Sequence, residues 1–553
     1  PGPATREARS TEPVPLARLP AWGLASLAGL LCALAFPRWE GIYLEPLAWV
    51  GMVPLLVALE RRRAPWWGCL CFAVSFQMVQ VGPLMVLLGP WVGALLVNAW
   101  GVALIPASYL LLRRTLSVGW ALAAWAPLAA VLEWAQATLL ATNAPWWVLG
   151  ASQARFNAEI QFIHTTGVWG LTLWLLLVNA IVFGMWQQRH RLSPRHALLL
   201  AVVATAPWLY GSWRLAQPLP SVAMQAGTSL RIAAVGSGLP APGADRIPLA
   251  VQASESALRL QPDMIAWPEG VNVPGMPNMA SMRRPLQQRV AQWNRPVLLV
   301  GTQFRMYGAE VPPTPFSQAI EAPYEARTGS VWLTPKQSAA DPALFIPKQH
   351  LVPFQERLPG SEALPRLAAL LHPLAQHGRA HWFTADGEPP MTLPRFQPAT
   401  ETQPITIAPL LCFDILFPAT LAQRVRQGAQ LVVWQTNDED AQAGHYAYQF
   451  AQFARLRAVE SGRDIVRVNT DGDHLHIDAR GRTVAQLPRS AGPTYTVFTV
   501  PARDNLTLAT RAPHAFLAVC AFMGAALVAW GWRRCSRVGP ANRSAVAQWH
   551  QPG

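Results

Sequence analysis

Three side chains in this chain, Glu269, Lys348 and Cys412, have the types and settings that acyl-transfer chemistry needs. Cys412 closes ITIAPLLC (405–412), an apolar run opened by β-branched residues that reads as a buried strand, with the turn FD after it. Glu269 closes MIAWPE (264–269), and Lys348 lies in IPKQHLVPFQERLP. Strand ends are where α/β sheets place their reactive groups. A thiol attacks as thiolate, and a buried carboxylate of raised pKa can take its proton. The tetrahedral intermediate then needs positive charge and amide donors at its oxyanion, which Lys348 and the backbone N–H of Phe413 could supply. Together they describe acyl transfer through a thioester, with no metal and no organic cofactor required. Each residue alone also has a plainer reading: Cys412 as a small core hydrophobe, Glu269 as a turn carboxylate, Lys348 as a solvated loop charge.

The chain that must hold these groups is unusual in composition. Of its 553 residues 52% are hydrophobic and only 13% charged, against about 25% charged in ordinary soluble domains. That points to membrane-embedded mass, and the 25 tryptophans suit membrane interfaces. The net charge is +14, yet no basic run carries interleaved aromatics, so nucleic acid is not an expected partner. All of the 44 basic residues but Lys336 and Lys348 are arginine. Lysine offers a compact ammonium whose pKa can be tuned, which guanidinium does not. Chance retention suffices for Lys336. Five cysteines, Cys32, Cys69, Cys71, Cys520 and Cys535, lie in or beside apolar segments, which leaves Cys412 without a neighbour to pair with.

Residues 1–19 read as a disordered cytoplasmic tail. Apolar stretches follow at about 21–36, 46–59, 65–88, 90–112, 118–140, 168–187 and 197–214, and they read as membrane helices, the second one short. None is a cleavable signal peptide, because further spans follow the first at once. Arg18, Arg61–Arg63, Arg113 with Arg114, and Arg189, Arg191 and Arg195 mark alternate loops, whereas the intervening loops hold Arg38, none, and Arg155. The positive-inside rule then puts the N-terminus in the cytoplasm and residues 215–510 on the outer face. An eighth span near 514–532 returns the chain to Arg533, Arg534 and Arg537. Glu133 lies within an apolar span and needs a partner there; it reads as a polar contact between helices, near a lipid entry.

Within 215–510, strands are expected at 230–236, 264–269, 295–304, 405–412 and 431–437, and helices at 246–260, 280–294, 419–428 and 446–462. Such alternation argues for an α/β domain with a buried sheet. Stretches 237–244, 270–278 and 386–404 read as long loops. The segments 271–282 and 358–375 could be lids against the lipid surface or ordinary surface elements. Asp471, Asp473, His474, His476 and Asp478 could suggest a metal, but polar alternation along an exposed strand explains them as well. No metal is expected.

The motifs resemble those of the bacterial apolipoprotein N-acyltransferases, membrane members of the nitrilase superfamily. WPEGVNVP (267–274) is similar to the family's WPE motif, and KQHLVPFQERLP (348–359) to KxHLVPFGExxP. LCFDILFP (411–418) resembles CYExxFP, ARLRAVESGRDIVRVN (454–469) resembles ARxRAxExGRPxxRATN, and APWWVLGASQ (144–153) resembles FPWLxLGYSQ. The resemblance runs from about 20 to 535 and keeps the motif order. It implies Glu269 as general base, Lys348 as oxyanion-stabilising cation, Cys412 as acylated nucleophile and Glu356 as a further glutamate orienting the site. Phe413, Asp414, Trp434 and Asn437 would bind substrate. The implied fold is an α-helical transmembrane domain of about eight spans (20–214 and 511–535) plus an α/β, nitrilase-like αββα sandwich (215–510), with a second cytoplasmic tail at 536–553. The implied setting is the bacterial inner membrane, the catalytic domain periplasmic and the protein a monomer. A phospholipid would donate the acyl chain, and a diacylglyceryl-cysteine lipoprotein would accept it.

Asp414 stands where the family has Glu, so its contacts must be rearranged. TNDEDAQAGHYAYQ (436–449) replaces a SNDAWFG-type stretch, VNTDGDHLHID (468–478) a TNNGxSAxID-type one, and IAAVGSGLP (232–240) lacks Gln–Gly–Asn. The triad is intact while the acceptor side is rewritten. That leaves open another amine or water as acceptor, as in an amidase or a conjugation-associated paralogue. A catalytically silent scaffold is the alternative from another class.

Overall fold

The computed structural model describes residues 19–61, 65–85, 91–139, 145–188, 194–219, 228–238, 245–353, 355–375, 392–398, 403–439, 445–490 and 492–537. Nearly all of both expected tails, and most of the loops at 237–244 and 386–404, lie outside these residues. Helices occupy Ala21–Leu34, Val53–Glu60, Pro65–Met85, Trp91–Arg113, Val118–Leu139, Val168–Gln187, Pro194–Ala216 and Ala515–Arg537. Among the described residues, four helical stretches are long and apolar enough to cross a membrane: Val118–Leu139, Val168–Gln187, Pro194–Ala216 and Ala515–Arg534. Ala21–Leu34 and Ala99–Arg113 are apolar but shorter.

The expected span at 46–59 is not one helix. It is a 3-10 turn, Glu45–Trp49, followed by a helix of 8 residues, Val53–Glu60. At 1.5 Å per residue that helix rises about 12 Å, well short of a bilayer core. Pro46, Gly51 and Pro54 punctuate the segment, and Asn179 seals the break. The Asn179 amide accepts from Met52 N (2.8 Å) and donates to Ala48 O (2.8 Å). Glu133 finds its partners between elements, accepting from Leu149 N (2.7 Å) and from the Thr172 hydroxyl (2.6 Å). It borders a largely apolar pocket lined also by Cys32, Phe72, Phe76 and Ile105.

The polar region builds two sheets. Their strands are β1 (Ser229–Gly236), β2 (Met264–Ala266), β3 (Asn272–Pro274), β4 (Val297–Met306), β5 (Tyr324–Leu333), β6 (Leu344–Pro347), β7 (Arg395–Phe396), β8 (Ile405–Leu411), β9 (Leu431–Thr436), β10 (Ile465–Asn469), β11 (His474–Ile477), β12 (Thr483–Leu487) and β13 (Thr494–Pro501). The first sheet runs β13-β1-β2-β4-β5-β6, with β3 beside β4, and the second runs β12-β11-β10-β9-β8-β7. In both, a parallel centre is flanked by antiparallel edges.

Side chains alternate across each strand, so every buried strand serves two layers. Ile232, Ala234, Ile407, Leu431, Val433, Val466 and Val468 meet between the sheets. Ala233, Val235, Val297 and Leu299 face the helices Ile247–Leu258 and Ala280–Trp293. Ala408, Leu410, Val432 and Trp434 face Pro418–Arg426 and Tyr446–Ser461. The result is a helix–sheet–sheet–helix sandwich. Its last helical layer shares one continuous apolar cluster with the N-terminal helices.

Two expectations for surface segments are corrected. Val271, Val273 and Met276 are buried in the helix-facing core, so the first half of 271–282 packs into the sandwich beside β4, while Met279 and Met282 at its far end stay exposed. β11 is buried along its whole length, so exposed alternation does not explain its histidines.

Candidate active site

Glu269 follows β2 and Lys348 follows β6, both in the first sheet, while Cys412 follows β8 in the second. The sandwich brings all three together. The chain leaves β8 into a short 3-10 helix, Cys412–Leu416, and Cys412 takes φ +45°. For a residue with a Cβ this left-handed conformation costs on the order of 1–3 kcal/mol. Trp434 Nε1 donates to the Cys412 carbonyl (3.0 Å), and the Cys412 thiol hydrogen-bonds the Glu269 carboxylate.

The Lys348 N–H donates to Thr328 O (2.9 Å), which prolongs the β5–β6 pairing. Its side chain is wholly covered, and its ammonium reaches Glu356 Oε1 at 2.7 Å and Glu269 Oε1 at 3.4 Å. Glu356 Oε2 accepts from Val352 N (2.8 Å), so the loop after Lys348 folds back and returns a carboxylate to it.

Burial raises the pKa of Glu269, and the ammonium of Lys348 only partly offsets this. Burial would drive Lys348 towards its neutral form, but the charges of Glu356 and Glu269 outweigh it and hold its pKa well above the usual lysine range. Burial and the neighbouring Glu269 push the Cys412 thiol well up. The resting site is therefore a protonated thiol, a carboxylate of enhanced basicity and a fixed cation.

Asp414 ties the cysteine turn to the lysine loop. Its buried carboxylate accepts from Gln349 N (3.1 Å) and His350 N (2.9 Å), and Arg424 stands 3.6 Å away. Arg424 also donates to Gln349 Oε1 (3.1 Å). Burial lifts the Asp414 pKa to about 6 against the pull of Arg424 and Lys348. The His350 ring stacks on Phe417 at 3.5 Å, and burial lowers its pKa to about 3, leaving it neutral.

The other expected substrate contacts fare differently. Phe413 is 5% exposed and its ring packs on Phe417. Its N–H lies in the first turn of the 3-10 helix, where backbone donors lack partners within the helix. Trp434 is 0% exposed, with Phe450 at 5.0 Å and the Arg467 guanidinium at 4.7 Å, so it supports the cysteine turn from beneath and does not line an open pocket. Asn437 is half-buried and accepts from Glu439 N (3.1 Å).

The five residues that could have suggested a metal are occupied elsewhere. Arg489 pairs with Asp471 (2.5 Å) and donates its N–H to Asp473 (2.9 Å), while His474 meets Thr494 (3.0 Å). His476 meets Asp464 (3.0 Å), and Arg482 pairs with Asp478 (2.7 Å).

Residues not singled out from the sequence also shape the site. Thr470 Oγ1 accepts from Gly270 N (2.8 Å), next to Glu269. A Cβ on Gly270 would lie 2.5 Å from that oxygen and 2.6 Å from Arg246 Nη1, so any larger residue would force Thr470 and Arg246 to shift. Gln435, Arg424 and His350 are buried or nearly so in the same region. A lone amide within LVVWQT was the available signal for Gln435; the partners of Thr470 and Arg424 come from distant segments and left no local mark.

Residues 28–181 match the apolipoprotein N-acyltransferase N-terminal domain family. Over 539 residues the chain is 29% identical to a Chlorobaculum tepidum protein named apolipoprotein N-acyltransferase, covering 90% of this chain and 94% of that one. It is 28% identical over 522 residues to a Gloeobacter violaceus protein of the same name, covering 87% and 90%. A solved amidase of the nitrilase superfamily from Nesterenkonia is 18% identical, with a TM-score of 0.33, covering 51% of this chain and 94% of that chain. The resemblance to apolipoprotein N-acyltransferases thus extends along nearly the whole chain.

Proposed function

We propose that this chain is a membrane N-acyltransferase that moves an acyl chain from a phospholipid, through a thioester on Cys412, to the N-terminal amine of a diacylglyceryl-cysteine lipoprotein. The observation that carries the reading is the convergence of Cys412, Glu269 and the doubly paired Lys348 from two different sheets. The likeness to named apolipoprotein N-acyltransferases over 90% of the chain supports the choice of substrates.

In the first half-reaction Glu269 takes the Cys412 proton and the thiolate attacks the ester carbonyl of the phospholipid. Negative charge develops on the carbonyl oxygen, where Lys348 Nζ and the Phe413 N–H stabilise it. Collapse breaks the ester C–O bond, and the protonated Glu269 returns its proton to the departing lysophospholipid alkoxide. In the second half the acceptor amine attacks the thioester, Glu269 takes a proton from nitrogen, and the C–S bond breaks as the amide forms. The thiolate regains its proton from Glu269. Glu356 orients Lys348, and no step needs a metal or an organic cofactor.

Residues 20–214 and 511–535 form the membrane part, and 215–510 form the catalytic domain on the periplasmic side of the bacterial inner membrane. The helices Pro65–Met85 and Trp91–Arg113, the shorter Ala21–Leu34 and the broken segment at 45–60 bring the four long apolar helices to the eight crossings of this topology. The N-terminus and the 536–553 tail are cytoplasmic, and the protein acts as a monomer.

The test is the intact mass of detergent-purified protein after incubation with phospholipid, beside Cys412→Ala. A hydroxylamine-sensitive gain of one acyl chain, absent from the variant, is expected, followed by its transfer to a diacylated lipopeptide. Loss of the adduct to water alone would make the protein a hydrolase. A folded protein that never forms the adduct would overturn the acyl-transfer reading.

A further inference from the structure

The candidate residues sit on three strands in two separate sheets, so something must hold the sheets in register at that end. Between the sheets the contacts are apolar: Leu431 and Val433 of β9 face Ile232, Ala266 and Leu298. Two residues on, at the next position of the same strand face, the side chain is Gln435, and it is 0% exposed. An uncharged amide in that position is costly unless both of its ends are satisfied.

Both ends are satisfied, across the gap. Gln435 Nε2 donates to Trp267 O (2.7 Å), and Gln435 Oε1 accepts from the Ser330 hydroxyl (2.6 Å). A carbonyl can only accept, so the NH₂ must face Trp267 and the amide has one orientation. Trp267 is two residues before Glu269. Ser330 is on β5, two residues from Thr328, whose carbonyl receives the Lys348 N–H at 2.9 Å. Gln435 itself pairs in register with Leu411, the residue before Cys412. One buried side chain thus bonds the exit of β2 and the strand β5 that anchors the Lys348 backbone, and lies beside the end of β8.

We infer that Gln435 is a positioning residue that sets the distance between the base and cation of the first sheet and the nucleophile of the second. Resting on the acyl-transfer reading, the inference says how that site keeps its geometry. Its amide gives the interlayer contact a direction, which the apolar pairs beneath it lack. The Cys412 thiol meets the Glu269 carboxylate across that same gap, so a small slip of one sheet past the other would part nucleophile from base. Displacement of a reacting group by about 1 Å can cost on the order of a hundredfold in rate.

The full-length protein in detergent provides the test, with Gln435→Met, Gln435→Glu and Ser330→Ala beside the wild type. Met keeps the length and loses both hydrogen bonds, and Glu sets an oxygen against the Trp267 carbonyl. Ser330→Ala removes one hydroxyl without adding volume, so it carries the test if the Gln435 variants fail to fold. The readouts are Cys412 alkylation by iodoacetamide as a function of pH, the rate of thioester formation from phospholipid, and thermal unfolding as the control for fold. The expected result is folded protein in which alkylation at neutral pH and thioester formation both slow by about tenfold or more, with a displaced rising limb in the alkylation profile. A merely structural role would lower the melting temperature and leave that profile where it was. Folded variants that match the wild type within about twofold in both rates, a margin below 0.5 kcal/mol, overturn the inference. A wild type that alkylates normally but never acylates, beside variants with a displaced profile, would sink the acyl-transfer reading and leave the role of Gln435 standing.

Discussion

Lys348 is the residue on which the electrostatics of the site turn. It opposes the effect of burial on Glu269, and Glu356 in turn holds it charged. Lys348→Met leaves two carboxylates facing each other without a cation, so the Glu269 pKa should rise further. The rising limb of the pH profile for thioester formation should move to higher pH and its plateau should fall by about a hundredfold or more, the scale of a lost oxyanion donor. Stopped reactions across pH 5–9 would check this; an unmoved limb would remove Lys348 from the site's charge balance. Asp414 gives a separate pH signature. Its carboxyl pKa lies near 6, against an ordinary 3.8, so the native state holds this proton more tightly than the unfolded chain. The stabilisation is full below pH 3.8 and is lost as pH rises through 6, a change of roughly 3 kcal/mol. Asp414→Asn should flatten the stability profile between pH 4 and 6 relative to the wild type, as measured by denaturant unfolding at a series of pH values.

At the scale of elements, the site depends on where strands end. β8 was legible because ITIAPLLC is apolar at every position but Thr406, yet its left-handed exit at Cys412 is a tertiary matter. β9 supports that exit through Trp434, whose indole N–H reaches the Cys412 carbonyl. Trp434→Phe keeps most of the buried ring and removes the donor. The orphaned carbonyl should cost about 1–2 kcal/mol in stability, and the loosened turn should slow thioester formation more than it weakens phospholipid affinity. A variant with wild-type kcat and only a raised KM would contradict this. β5, which a sequence reading passes over, and β11, which it takes for an exposed strand, both mislead through their polar residues. β5 begins YEART, with Glu325 paired to Arg305 and Arg327, so its charged half carries no apolar pattern. β11 is buried although it holds two histidines, because Asp464 and Thr494 satisfy them from other segments.

At the scale of the molecule, the helical part and the sandwich share their largest apolar cluster. Trp146 stacks on Phe450 at 4.9 Å and donates to Gln449 Oε1 at 2.6 Å, and Phe450 in turn meets Trp434. Val168 N, at the start of a long apolar helix, donates to Glu460 Oε1 at 2.5 Å, and Arg38 contacts His445. The sandwich helix Tyr446–Ser461 is therefore as much a part of the helical domain as of its own. Excised residues 215–510 should expose this layer, associate on size-exclusion chromatography and unfold without a sharp transition. A monodisperse, cooperatively folding fragment would show that the sandwich is self-sufficient.

The sequence alone singled out Glu269, Lys348 and Cys412 and the order of the parts, because each of the three sits in a local motif. It likewise determined most helices and core strands, since apolar periodicity is a local property. It erred at 46–59, where hydropathy did not register Pro46, Gly51 and Pro54 as breaks. Only the tertiary structure decided how Glu269 and Lys348 meet Cys412, because they lie on different sheets and meet only when the two layers stack. It also decided that Trp434 is a support, that Asp414 serves the lysine loop, and that Gln435 bridges the gap. Each of those roles is a contact across tens to hundreds of residues, and the energy of such a contact is invisible until the layers are in place.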